Sequence, residues 1–229
     1  MPDGSPSPAA LLYLLAWDTT RLRLTGETRL AYLVRAGALT ELAQRGLLVD
    51  VDGVATPADP DARTGDPVLD GLLELVEESR PRRWKTWVTL RAGVTLDAVH
   101  AQLTAGGWLR AGKKRTLGVF PSVEYELERV PGVVALQQEV RQVIEGPVPV
   151  TEVSDRDAAL AALAAAAELG TVVTAADRKR HRERIEALTE RSGAAAPALR
   201  KVVHEVRTAM VVAATAGGAT AGGAGATAG

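Results

Sequence analysis

Two stretches of this chain share one order of parts. In LTELAQRGLLVDVDGVATP (39–57) and HAQLTAGGWLRAGKKRTLGVFPSVEYELE (100–128), a helical pattern stops at glycine and an apolar pair opens an alternating run. Glycine ends a helix readily because it enters the left-handed conformation without strain. In the first stretch Asp52-Gly53 stands between two alternating runs, the dipeptide favoured in a two-residue hairpin turn. In the second, Gly106-Gly107 closes the helix and Trp108 to Glu128 reads as another hairpin. Helix, glycine, hairpin, used twice, is the local grammar of winged-helix units. It limits the chain to a compact, mainly α-helical domain with two small β-hairpins.

The remaining pattern agrees. Leu30, Leu33, Val34, Ala38 and Leu42 recur at helical spacing, which predicts a helix from about Arg29 to Arg45. Asp66 suits an N-cap with Pro67 at the first helical position, and Leu69, Leu72, Leu73 and Val76 form its stripe before Pro81. Further helices are expected over 97–104, 133–145, 155–169, 175–191 and 195–214. The opening AALLYLLAWDTTRLRL fits a helix or a strand entering a hairpin. Residues 1–8 read as a disordered leader, 9–214 as the folded domain, and 215–229 as a flexible Gly/Ala/Thr tail.

Several function classes fall away. Hydrophobic residues make up 46% but aromatics only 3%, so the core must be Leu, Val and Ala. There is no cysteine, hence no disulfide and no thiolate metal ligand. A net charge of −1 gives no overall attraction to nucleic acid. The Ala-rich run AALAALAAAAELGTVV is too short and too weakly apolar for a membrane span, and no basic region precedes an apolar run at the start. The expectation is a soluble cytoplasmic protein. His100, His181 and His204 are far apart with no close ligand pair, so neither metal nor cofactor is expected. No P-loop, dinucleotide fingerprint or nucleophile elbow occurs. Nothing argues for an enzyme.

The basic clusters are more informative. RPRRWKTWVTLR (80–91) combines Arg82, Arg83, Lys85 and Arg91 with Trp84 and Trp87. Lys113, Lys114 and Arg115 open the second hairpin ahead of Phe120. Cations beside aromatics suit an anionic membrane surface, where each Lys or Arg contributes about 1 kcal/mol. Trp87, between apolar neighbours, reads as core. The third cluster, DRKRHRER (177–184), is offset by acids and reads as a solvated face.

The pieces LTELAQRGLL, TGDPVLDGLLELV, WVTL, LTAGGWL and TLGVFPSVEYEL stand in this order. Together they resemble the Golgi phosphoprotein 3 family, particularly its bacterial branch, over roughly residues 10–214. The resemblance implies a mainly helical fold. For the eukaryotic members it implies a peripheral membrane protein that binds phosphatidylinositol 4-phosphate, helps retain glycosyltransferases, and uses a hairpin for membrane contact and self-association. It also implies a headgroup pocket of one tryptophan and arginines from two helices. Arg35, six residues before Glu41, holds the place of one arginine. The tryptophan position falls at Gly26, and the later arginine pair falls at Gly93 and Leu96, with Arg91 the nearest replacement. Outside that pattern, Arg35 reads as a surface charge or as the partner of a carboxylate.

The expectation is therefore a non-enzymatic adaptor at the inner membrane surface. It would bind an anionic headgroup of the phosphoinositide type through Arg35 and Arg91, and the bilayer surface through Arg82, Arg83, Lys85, Lys113, Lys114 and Arg115. A protein-binding scaffold, including a homo-oligomer through the second hairpin, is the alternative. A winged-helix nucleic-acid binder ranks below both.

Overall fold

The computed structural model describes residues 6–116 and 120–193, with Val202, His204 and Thr208 beyond them. The ambiguous opening stretch turns out to hold both elements. Helix α1 (Pro8–Leu15) comes first, followed by a minimal hairpin of β1 (Trp17–Asp18) and β2 (Arg23–Leu24). Ser7 Oγ accepts from the Ala10 N–H at 3.3 Å and Pro8 fills the first turn, where no N–H is needed. Pro8, assigned above to the disordered leader, is thus helical and buried. Residues 1–5 of that leader and the 215–229 tail lie outside the described residues.

Helix α2 (Glu27–Gln44) leads through Gly46, at φ 71°, into β3 (Leu48–Val51) and β4 (Val54–Pro57). The turn residues Asp52 and Gly53 both take positive φ, 52° and 85°, as the dipeptide requires. Asp66 caps α3 (Pro67–Glu77) by accepting from the Val68 N–H at 2.8 Å and the Leu69 N–H at 3.3 Å. A short strand β5 (Arg82–Arg83) then adds to β4, so this hairpin is a three-stranded antiparallel sheet. Helices α4 (Trp84–Thr89) and α5 (Ala92–Ala105) precede the long hairpin of β6 (Leu109–Thr116) and β7 (Phe120–Leu127). The rest is helical: α6 (Val130–Glu145), α7 (Asp155–Ala166), α8 (Ala175–Arg180) and α9 (Arg182–Ser192). The helix expected over 175–191 is broken in two at His181. Of the expected 195–214 helix, the three described positions are helical.

The molecule is mainly α, with the two glycine-stopped helix–hairpin units in place. Two helices organise the core. α2 packs against α1, α3, α4, α5 and α7, and α7 against α1, α2, α6 and α9. α7 is buried at every position from Ala158 to Ala166. Alanine makes this possible, because a slim helix lets several neighbours approach closely. α1 meets α2 at Gly37, where a Cβ would lie 2.6 Å from Leu12 Cδ1 and 3.0 Å from Ala9 Cα.

α2 departs from an amphipathic helix. Every residue from Leu33 to Ala43 is buried, including Arg35, Thr40 and Glu41. A helix enclosed on all sides exposes no polar face. Its charged groups must find partners inside or face a cavity.

Candidate functional site

Arg35 is fully buried, which excludes the surface-charge reading. Among the described residues it has no carboxylate partner either. Its Nη2 donates to the main-chain carbonyl of Arg91 at 2.7 Å, while Nε and Nη1 have no hydrogen-bond partner. A guanidinium carries five N–H donors, so most of them are unmet in a desolvated place. Burial, and secondarily the charge of Arg91, pull its pKa from the ordinary arginine value down to about 10. It remains a cation at neutral pH.

The acceptor of that bond is unusual. Arg91 sits at the junction of α4 and α5 with φ 51°, a left-handed conformation that a non-glycine residue adopts at a cost. It occupies the N-cap of α5 without a side-chain cap. The start of α5 therefore keeps the partial positive charge of a helix N-terminus. The side chain of Arg91 is exposed above it. Gly93, in the first turn, is exposed, and a Cβ there would meet nothing within 4 Å. The main chain is open to close approach at that point.

The structure thus brings together the two arginines named for the headgroup, a buried one beneath the α5 start and an exposed one on it. Arg82, Arg83 and Lys85 are also exposed, on β5 and the first turn of α4. The aromatic half of that cluster is not at the surface. Trp84 is 1% and Trp87 0% exposed, so both are core residues and only the cations face solvent. β5 supplies the reason, since it fixes Arg82 and Arg83 in extended pairing with β4 and turns the following helix inward. Lys113, Lys114 and Arg115 lie on β6, but their side chains are outside the described residues. In the third cluster, Asp177 forms a capping box with Thr174, Arg178 pairs with Glu168, and Arg184 donates to the carbonyls of Val143 and Val148. These are structural roles. Among the described residues, no three His, Asp or Glu side chains gather as a metal site.

With this arrangement and fold in view, the comparison with protein families is decisive: residues 9–206 match the model of Golgi phosphoprotein 3 (GPP34). The chain belongs to the Golgi phosphoprotein 3 family. No curated protein matches it. Membership in the Golgi phosphoprotein 3 family is consistent with a non-enzymatic lipid-binding or adaptor role. No helix among the described residues is long and apolar enough to cross a membrane.

Sequence reasoning missed two features of this Golgi phosphoprotein 3 fold. His100 is held between rings, stacked on Tyr125 at 4.0 Å and edge-on to Tyr13 at 5.0 Å, which ties α1 and α5 to the base of the long hairpin. Burial lowers its pKa. The TGDP segment is a junction. Asp66 caps α3 and accepts from Gln102 Nε2 at 2.8 Å, and Ser7 Oγ donates to Gln102 Oε1 at 3.1 Å. One carboxylate and one amide so fasten the starts of α1 and α3 to α5. The proline-led start was visible in the sequence; its long-range partners were not.

Proposed function

We propose that this chain is a peripheral, non-enzymatic protein that docks on anionic lipid headgroups at the cytoplasmic face of a membrane, with the start of α5 as the headgroup site. One observation carries the reading: a buried, charged and largely unpartnered Arg35 lies directly beneath an uncapped helix N-terminus. In most folds such a cation is paired or replaced, because burying it costs several kcal/mol. Here its charge adds to the helix dipole at a point where the backbone is open at Gly93. A phosphate above α5 meets the first-turn N–H groups and the Arg91 side chain, with Arg35 as fixed positive charge behind them. Arg82, Arg83 and Lys85 then contribute through-space attraction to the bilayer, screened over about 8 Å at physiological ionic strength. A phosphomonoester headgroup, as on phosphatidylinositol 4-phosphate, presents the most charge to such a site.

The test is co-sedimentation with phosphatidylcholine vesicles that contain no anionic lipid, phosphatidylglycerol, or phosphatidylinositol 4-phosphate. The expected result is binding to both anionic sets at low salt, strongest with the phosphoinositide. Arg35→Met and Arg91→Ala reduce it. Binding that is equal on all three vesicles, or unchanged in Arg35→Met, would refute the reading.

A further inference from the structure

The first turn of α5 leads along its own helix to a hollow. Gly93, Leu96 and His100 fall at i, i+3 and i+7, so they share one helix face. Gly93 lies at the open start of that face. Leu96 and His100 line a cavity of about 460 Å³ further along it. That volume lies in the range of small-ligand sites. The other walls come from α1, the β1–β2 hairpin, the start of α2 and β7.

The lining is apolar where a ligand can reach it. Tyr13, Trp17 and Leu30 are buried and form the floor. Leu24, Leu96 and Tyr125 are half-buried, so part of each side chain remains open to contact. The rim is apolar too. Leu22 and Val123, each 57% exposed, are the most exposed large hydrophobic side chains among the described residues, and both line this cavity. Leu22 is held there against its preference. Its φ of 51° is a left-handed conformation, strained for a leucine. A strained, exposed leucine beside an apolar hollow points to an apolar group as the occupant. Arg23 and Glu124 carry opposite charges on the same cavity, so the hollow itself draws no ion. The groups that attract an anion stand at the α5 start, and the rise from Gly93 to Leu96 is only about 4.5 Å.

We propose that one ligand spans both places: a phosphate monoester that carries a single alkyl or acyl chain. Its phosphate meets the α5 start, and its chain lies in the hollow against Leu22, Leu24, Leu96 and Tyr125. This deepens the headgroup reading of the α5 start and rests on it. A chain already in a bilayer gains little by moving into another apolar place, whereas a chain in water gains by leaving it. The source is therefore a soluble single-chain amphiphile.

The experiment is calorimetric titration of the full chain with inorganic phosphate, with butyl, hexyl and octyl phosphate below their micelle concentrations, and with octanol. Affinity is expected to rise with chain length by up to about fourfold per methylene, the weight of one buried CH₂. Octanol, which has no phosphate, is expected to bind at least about tenfold more weakly than octyl phosphate. Leu22→Gly relieves the backbone strain, so its thermal transition should hold or rise. Its affinity for octyl phosphate should fall several-fold, with that for inorganic phosphate unchanged. Leu96→Gln should repeat the loss from the facing wall. No heat with octyl phosphate, affinity independent of chain length, equal affinity for octanol, or full octyl phosphate affinity in both variants would overturn the proposal. Weaker vesicle binding by Leu22→Gly, with no chain-length effect in solution, would assign the rim to the bilayer and overturn it as well. Vesicle co-sedimentation of Arg35→Met judges the headgroup reading by itself. If that reading stands while chain length has no effect, only this proposal falls.

Discussion

Replacing Arg35 with methionine should make this protein more stable, while weakening its attachment to anionic vesicles. The guanidinium is fully buried and its pKa falls from the ordinary arginine value to about 10. At 1.36 kcal/mol per unit, that depression corresponds to about 3 kcal/mol of cost for the charged form in the folded state. The sign follows from linkage. A base with a lowered folded-state pKa penalises folding at every pH below that value, and the penalty fades only as pH rises from about 10 toward the ordinary arginine value. At neutral pH the full cost is present. Methionine removes it and fills a similar volume with a flexible apolar chain. Against this stands the lost hydrogen bond to the Arg91 carbonyl, worth about 1 kcal/mol, since that carbonyl still accepts from the Val94 N–H at 3.0 Å. The net expectation is a gain of about 1–2 kcal/mol, or a rise in Tm of roughly 2–8 °C for a domain of this size. Urea denaturation at pH 7 measures it. The wild type should be stabilised by a soluble phosphate headgroup and the variant should not, because ligand linkage requires the site. If Arg35→Met lowers the urea midpoint by an amount worth 2 kcal/mol or more, Arg35 is a net structural support and the reasoning fails.

Three other perturbations test the remaining account. Trp87→Ala should cost about 3–5 kcal/mol in urea denaturation, the range for a large aromatic removed from a packed core; a loss below 1 kcal/mol would place the ring at the surface. Gly37→Ala should destabilise by about 1–3 kcal/mol, because the Leu12 side chain can turn away but the Ala9 backbone cannot; an unchanged Tm would show that α1 is free to shift. Burial is the main cause that raises the Glu41 pKa above 4.5, so wild-type stability from this group is present below pH 4.5 and is lost as pH rises through the folded-state value. The stability of Glu41→Gln relative to wild type should therefore increase as pH rises from 4.5 and then level off, and a pH-independent difference would contradict that burial effect.

Much of the scaffold was legible because it is written locally. The α3 stripe of Leu69, Leu72, Leu73 and Val76 needs only spacing, and Asp66-Pro67 announces its own start. Asp52-Gly53 sets a hairpin by dihedral preference alone. What failed to show depends on enclosure. The apolar positions of α2 fix one buried face, but four neighbouring helices beyond α1 bury the other faces too, and no pattern within eighteen residues records that. The same holds for Trp84, drawn inward by the pairing of β5 with a strand 27 to 29 residues earlier. The α5 start was half legible. Arg35 and Arg91 were found, but only the fold shows that one lies beneath the carbonyl of the other.

The enclosure of α7 sets an order of events during synthesis. Its buried surface is shared among α1, α2 and α6, which the ribosome delivers earlier, and α9, which it delivers later. Until α9 emerges, one side of an alanine-rich helix stays open to water, next to the apolar flanks of α1 and α2. Alanine offers little side-chain area for a chaperone or another nascent chain to grip. A leucine-rich helix of the same length would expose far more adhesive surface during that wait. The choice of small residues at the centre thus protects the unfinished chain as well as packing the finished one.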